Sequence, residues 1–440
     1  VNDSVLSLLA EHPFIAGATR DHDSGDITVI PDTAAIAVRP VPGPLLAEHL
    51  RHWQQVYEFV YAGATDRHAD DLDLSGWRAS DTGAPLPREH MLEWIDHAVR
   101  LTLSSRPRFV LEVGCGSGLL AHRVRDRVRH YVGLDVAAPV VERLARQLPS
   151  ARIARAAAHE LGTAAVRQLL DETAPPDCLV LNSVTQCFPN EDYLTAVVDA
   201  ALDRVAPGGT VVVGDVRNST VLDHYARWVE RARDRTVGDA ELEQRVARRA
   251  AADEELVCDP RVFARIADRH PRTVHPACYA KPMRADTELT RYRYDIVYTV
   301  DVPAPRPCPV VTWPEWADGD LRVLAAHPPQ DELLVRDIPN ALLAPGVAGA
   351  VTPATLTAAV PAGWSVLLDS VDGRRLAVGP ASQAHRLPAV DPNIETSGCN
   401  DPFAGFLRRR LPELLADHLE QRLPGTIPPR ITVAAGVTVR

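Results

Sequence analysis

The chain has 440 residues, a formal net charge of −11 and 46% apolar residues, enough to fill roughly two or three cores. That acidic balance argues against nucleic acid or an anionic membrane face as partner, and no apolar run is long enough to span a membrane. Seven scattered cysteines (115, 178, 187, 258, 278, 308 and 399), none at C-x-x-C spacing, support neither a disulfide framework nor a zinc site, so a reduced cytoplasmic compartment is the simplest reading.

Val1 opens no signal-peptide pattern, and the missing Met suggests a processed or tagged start. Val5 to Glu11 has helical spacing that His12-Pro13 stops. Extended runs near Ile15–Thr19 and Ile27–Ile30 follow, joined by the turn-forming Asp21-His-Asp-Ser-Gly25. This piece is too small to bury a core alone. Leu45 to Ala62 is an amphipathic, aromatic-rich helix carrying Trp53, Tyr57, Phe59 and Tyr61. An acidic linker at Asp70–Asp73 leads into the turn-rich stretch Gly76–Pro87, which carries Trp77, Ser80 and Thr82. Helix Arg88–Leu103 follows, with Met91, Trp94, Ile95 and Ala98 on one face.

Next comes Phe109-Val-Leu-Glu-Val-Gly-Cys-Gly-Ser-Gly118: an apolar strand, glycines at 114, 116 and 118, and a helical pattern from Leu119 to Val128. Glycines let the backbone turn sharply and let a ligand approach the main chain at a helix N-terminus. The spacing is G-x-G-x-G, not the G-x-G-x-x-G of a dinucleotide site. With Glu112 just before it, the pattern is that of an S-adenosylmethionine (SAM) loop. A second strand, Tyr131-Val-Gly-Leu-Asp135, ends in the acid that can grip two ribose hydroxyls. The spacing then predicts helix 139–148, a short strand near Ile153, helix 160–171, strand Cys178–Asn182, helix 191–205 and strand Thr210–Asp215.

A long arginine-rich helical region, about 220–255, interrupts the alternation; its alternating sign reads as a solvated face. Extended segments lie near Thr273–Lys281 and Tyr292–Val300, and Lys281 is the only lysine of the chain. Such alternation means a mostly parallel sheet covered on both faces, with ligands at the strand carboxyl ends. Glu112, Asp135, Asn182 and Asp215 all stand at such ends. The proline-rich break Val302–Pro309 separates the remainder. Beyond it are a small hairpin, Trp364–Leu368 with Arg375–Val378 around Asp372-Gly373, an amphipathic helix Phe406–Leu423, and a strand near Ile431–Val437.

Several stretches together carry a family resemblance. They are Trp77-x-x-Ser80-x-Thr82-Gly83-x-Pro85-x-Pro87, Leu111–Gly118, Leu181-Asn-Ser-Val-Thr-Gln-Cys-Phe-Pro189, Val213-Gly-Asp-Val-Arg217, Glu254–Val257 and Glu288–Asp295. Residues 44–300 resemble the methyltransferase modules embedded in adenylation domains of non-ribosomal peptide synthetases. The flanks fit: His12-Pro13 and its strands resemble the start of the small adenylation lobe, and Asn400-Asp-Pro402 with Leu407–Pro424 its resumption. The large lobe with its phosphate loop is absent, and Gly436–Arg440 lacks the catalytic lysine, so adenylation is not expected. The resemblance implies an α/β fold of the class I SAM-dependent methyltransferase type, Rossmann-like with a seven-stranded mostly parallel sheet, inserted in a small split α+β lobe. The implied division is 1–43 for the first part of the lobe, 44–302 for the methyltransferase, and 303–440 for a carboxyl-terminal α+β region completing the lobe. The chain looks like a free-standing methyltransferase with vestigial flanks that fold against each other.

Methyl transfer from a sulfonium needs in-line positioning and exclusion of water more than covalent help. For SAM, Gly114, Cys115 and Gly116 are expected along the methionine part. Glu112 is expected to buttress the loop or reach the ligand amine, Asp135 to hold the ribose, Ala158 and His159 to meet adenine, and Asn182 to lie beside the methionine moiety. Trp77, Ser80 and Thr82 are expected over the ligand as a lid. Open alternatives are a helix cap for Asp135, a solvated loop for His159 and core packing for Trp77. The family pattern places Gln186 on the acceptor side; Cys187 stands where the family commonly has tyrosine and reads as a small buried hydrophobe.

For an amine acceptor, Asp215 could take its proton, Arg217 could hold a carboxylate bidentately, and Glu288 could do either. The alternative is structural Asp215–Arg217 or Glu288–Arg291 ion pairs. The resemblance favours N-methylation of an amino acid or aminoacyl acceptor, free or tethered to a carrier protein, in secondary metabolism. O- or C-methylation is the nearest alternative. A second class of function is a non-catalytic module docking on a peptide synthetase.

Overall fold

The computed structural model describes residues 2–62, 71–170, 174–304, 308–326, 333–369, 372–381, 397–425 and 427–434. Asp70 of the expected linker and the terminal stretch 435–440 lie outside them. The strands, in chain order, are β1 (Ile15–Arg20), β2 (Ile27–Pro31), β3 (Phe109–Val113), β4 (His130–Asp135), β5 (Arg152–Arg155), β6 (Cys178–Asn182) and β7 (Thr210–Arg217). They continue with β8 (Val274–Ala280), β9 (Arg293–Val300), β10 (Val310–Thr312), β11 (Leu334–Pro339), β12 (Trp364–Leu368), β13 (Arg375–Pro380) and β14 (Ile431–Val433).

Every residue of β3, β6 and β7 is buried, which is why they read as near-continuous apolar runs. Alternate residues enter different cores. Leu111, Leu179 and Val211 join one, while Val110, Val180 and Val212 join another beneath helix Arg88–Leu103, through its Met91, Trp94 and Ile95. β5, β4, β3, β6 and β7 run parallel, and β9 then β8 follow antiparallel. This is the seven-stranded class I methyltransferase sheet. The chain leaves β3 toward β5 and returns to β6 on the other side of β3. The order therefore reverses at the carboxyl ends of β3 and β6, where a crevice must open.

The sheet does not end there. β12 pairs with β8 through Leu367 and Tyr279, and β13, β11 and β10 follow, giving eleven strands in all. Strands β10 to β13 therefore extend the seven-stranded sheet, where the sequence reading placed 303–440 in a region completing the small lobe. Among the described residues of the carboxyl-terminal region, helix Pro402–Arg422 and β14 are the elements that join β1 and β2. β14 runs parallel to β2 beside β1 in a three-stranded sheet. The helix buries Phe403, Leu407, Leu411, Leu415 and Leu419, an i, i+4 stripe, in one core with Val5, Leu9, Ile27 and Val29. Asp401 caps its start by accepting from Ala404 N at 2.8 Å.

The arginine-rich region is two helices, Leu222–Arg233 and Asp239–Ala251, laced by pairs such as Arg227–Glu243 and Arg249–Glu230. A further helix, Pro260–Arg269, was missed; Asp259 caps it and Pro260 opens it, the two signals that could have found it.

Two changes test the split lobe. Deleting residues 1–40 removes β1 and β2 and should lower the melting temperature, whereas an unchanged melt would refute the association. Leu415→Ala, wholly buried at 0% exposure, should cost about 2–5 kcal/mol in denaturant unfolding.

Candidate functional site

The crevice is floored by the glycine loop. Gly114, Gly116 and Gly118 have φ of 77°, 51° and 86°, a region that side chains rarely adopt. The amides of Gly114 and Cys115 both donate to Leu134 O, tying the loop to β4. A Cβ on Gly114 would lie 2.3 Å from Val184 Cγ2. Asp135, at the end of β4, accepts from Gly116 N and Ala137 N, each at 2.9 Å. Burial raises its pKa against these amide bonds. The helix after it begins beyond Ala137 with no side-chain cap, so Asp135 is not its N-cap.

Beside Asp135 lies a slot of about 140 Å³, walled by Val113, Val136, Ala156, Ala158, His159 and Phe188. His159 is held by Tyr193 OH at 2.9 Å and is not a free loop histidine. Three rings of helix Pro44–Ala62 roof this slot. Trp53 stacks on Tyr57 and Tyr57 on Tyr61, with centroids 6.3 and 6.0 Å apart. Tyr57 OH meets Cys187 Sγ at 3.4 Å, and Tyr61 OH lies 2.9 Å from where a Gly116 Cβ would be. The sequence reading saw this aromatic stripe but gave it no part in the site.

The slot shares Tyr57, Tyr61, Gly114, Gly116 and Ser183 with a larger cavity of about 830 Å³. Glu112, Cys115, Asn182, Gln186, Trp77, Ser80, Arg217 and Glu288 all border that cavity. Glu112 is 4% exposed and accepts a hydrogen bond from Tyr131 OH; burial pushes its pKa up to about 8. Trp77 borders the cavity and also packs on Trp94 with centroids 4.4 Å apart. Thr82 is exposed on the turn and borders neither cavity, because the chain bends outward at Gly83.

Two acceptor-side expectations are corrected. Asp215 is 0% exposed and sits behind the cavity wall. Its carboxylate accepts from Trp94 Nε1 at 2.9 Å, Lys281 Nζ lies 3.2 Å away, and Arg293 Nη1 donates at 2.7 Å. Both terminal nitrogens of Arg217 are engaged. Asp253 takes both its terminal nitrogens at 2.7 Å, Glu255 lies at 3.0 Å, and its guanidinium stands 4.9 Å over the Tyr225 ring. Neither anticipated ion pair forms: Asp215 pairs with Lys281 and Arg293, and Arg291 pairs with Asp286.

Two groups on the wall remain uncommitted. Gln186 donates from Nε2 to Ser183 O (2.8 Å) and Oγ (3.0 Å), which sets the amide's orientation and leaves its buried Oε1 without a donor. Glu288, 5% exposed, meets the Ser80 amide, 3.3 Å from each oxygen, and the Ser80 side chain, and has no cationic partner among the described residues. Burial raises its pKa, with Arg293 opposing. The wall is braced from afar by Asn400, which accepts from Val257 N and donates to Glu255 O, both at 2.9 Å. The sequence reading gave Arg293, Asp253 and Asn400 no part in the site.

The apolar slot, the acid at its edge and the glycine cradle fit a nucleoside-bearing ligand whose cationic tail lies along Glu112. Among the described residues no cluster could hold a metal ion, and no helix is long and apolar enough to cross a membrane. Comparison with known proteins agrees with that fit. A methyltransferase-domain family model matches residues 111–211. The chain is 32% identical over 318 residues to chondramide synthase of Chondromyces crocatus, covering 69% of this chain and 8% of that one. It is 32% identical over 277 residues to the beauvericin non-ribosomal cyclodepsipeptide synthetase of Beauveria bassiana, covering 60% and 8%. To cyclosporin synthetase of Tolypocladium inflatum it is 28% identical over 355 residues, covering 76% and 2%. The chain thus spans less than a tenth of the length of these relatives.

Titration calorimetry with S-adenosylhomocysteine should show micromolar-range binding that Asp135→Ala removes. Gly114→Ala should also abolish it, through the φ of 77° and the Val184 contact. No heat with the parent protein would sink the assignment of this crevice.

Proposed function

Taking the central domain as a SAM-dependent methyltransferase of the kind carried by non-ribosomal peptide synthetases, we propose that the chain methylates the amine of an amino acid or aminoacyl acceptor. The observation that carries this reading is the pair of acceptors on the cavity wall, Gln186 Oε1, which has no donor, and the Glu288 carboxylate, which meets Ser80 but no cation among the described residues. A buried acceptor without a donor and a buried carboxylate without a cation are both costly, and an amine offers N–H groups to both. A hydroxyl acceptor would satisfy one at most.

SAM supplies a methyl group already activated on a sulfonium. The chain's own residues then have three tasks. Asp135, Ala158 and His159 hold the nucleoside end, with Glu112 and the backbone of Gly114 to Gly116 along the methionine end. Tyr57 and Tyr61 cover the crevice and keep water out, which strengthens each electrostatic contact beneath them. Glu288 and Gln186 orient the amine lone pair, and Glu288 takes the proton that the nitrogen must lose. The raised pKa of Glu288 makes it a better proton acceptor than a solvated carboxylate. Peptide-synthetase relatives support a place in secondary metabolism and a synthetase or carrier-bound partner, and seven free cysteines suit a reducing cytoplasm.

The test incubates the protein with SAM and candidate acceptors, free and carrier-tethered, and locates the new methyl by mass spectrometry. A methyl on oxygen or carbon would overturn the reading. Glu288→Gln should lower kcat by about 10²–10⁴-fold. In the parent enzyme kcat/KM should fall as pH drops through the raised pKa of Glu288, because the protonated acid cannot accept a proton. That acid limb should vanish in the Gln variant.

A further inference from the structure

Six arginines border the larger cavity (78, 217, 245, 248, 249 and 293), and the sequence motif drew attention to Arg217. Arg217 has both terminal nitrogens on Asp253 and a third contact to Glu255, so it has no fork to offer. Arg293, at the start of β9, differs. Its Nη1 donates to Asp215, while Nε and Nη2 have no partner among the described residues, and its side chain is on the cavity wall, 14% exposed. Asp215 has two other donors, Trp94 and Lys281, so Arg293 is not needed to satisfy it. Its placement has instead the effect of pinning a guanidinium at the cavity with two nitrogens spare.

Glu288 borders the same cavity, within electrostatic reach of Arg293 but without a direct ion pair. A carboxylate and a guanidinium held apart in a low-dielectric cavity make a dipolar seat. A group with N–H donors at one end and an oxygen acceptor at the other completes both.

We propose that Arg293 binds the carbonyl or carboxylate oxygen of an α-amino acyl acceptor whose amine lies at Glu288 and Gln186. Arg293 is thus a specificity determinant for the group next to the amine, and Asp215 a positioning residue that acts through it. The proposal rests on the amine reading above and adds to it the requirement for an adjacent carbonyl. The shared chemistry covers a free amino acid, through its carboxylate, and a tethered one, through its thioester carbonyl.

The test uses the full chain with SAM and three equimolar mixtures: the twenty proteinogenic L-amino acids, their N-acetylcysteamine thioesters, and the corresponding amines lacking the carboxyl group. Transfer is read by mass spectrometry. Methylation of the acids or the thioesters, at least about tenfold above the carboxyl-free amines, is expected. The better of the first two mixtures identifies the free or the tethered source. Arg293→Lys keeps a positive charge beside Asp215 but loses the fork. It should retain the parental melting temperature and S-adenosylhomocysteine affinity while KM for the methylated acceptor rises about tenfold or more with kcat little changed. Arg293→Gln should show the same KM defect if it folds. Equal transfer to the carboxyl-free amines, or a parental KM in Arg293→Lys, overturns the role of Arg293 and leaves the amine reading standing. No transfer to any mixture, with S-adenosylhomocysteine still bound, defeats the amine reading and this proposal with it.

Discussion

The only lysine of the chain is 1% exposed, and a buried charge cluster behind the wall of the larger cavity is built around it. Lys281 Nζ lies 2.8 Å from Asp295 and 3.2 Å from Asp215, while His97 meets Asp295 at 2.8 Å and Arg293 meets Asp215 at 2.7 Å. Taking such charges out of water costs several kcal/mol each, and only mutual pairing offsets it. Burial opposes ionisation of both carboxylates, but the neighbouring cations outweigh it and hold them below the usual carboxylate range. Burial lowers the pKa of His97, so two cations face two anions. The cluster draws together β7, β8, β9 and helix Arg88–Leu103. Removing Lys281 or either carboxylate would leave a buried charge unmatched.

That cluster also shapes the backbone. Asp215 has φ of 62°, and the pairing of β7 with β9 shifts register between Val213 and Val216. The Asp215 amide is held by Asp295 at 2.7 Å, so the bulge is paid for by the same carboxylate that binds the lysine. Gly214 sits where any Cβ would strike Asn182 Oδ1 at 2.2 Å. The end of β7 is therefore set against the end of β6, and the donor and acceptor halves of the crevice share one rigid edge.

Much of the donor half was legible because its signals are local. Glycine spacing, Glu112 at the end of β3 and Asp135 at the end of β4 lie within 25 residues, and buried parallel strands write themselves as apolar runs. The acceptor half is not local. Whether Arg217 or Arg293 has spare donors depends on Asp253 and Asp215, brought alongside by the bulge and by the loop after helix Asp239–Ala251. Thr82 matched its motif yet points to solvent, because a motif conveys residue type and not the direction of a turn. The continuation of the sheet past β8 rests on Leu367 with Tyr279, a pairing that no periodicity announces.

Asn400 sits where the chain returns to its terminal lobe, far in sequence from the loop Glu255–Val257 that it braces. The backbones of Cys399 and Cys258, both free thiols, pair next to it as an isolated antiparallel bridge, so the junction is held on both sides. The flanks are therefore not ballast. A shortened protein ending after β9 would keep every donor-side group, yet the segment bearing Asp253 and Glu255 would lose its outside strut. The natural unit for excision or grafting is then the whole interrupted fold, because the seam between its two parts is also a wall of the reaction chamber.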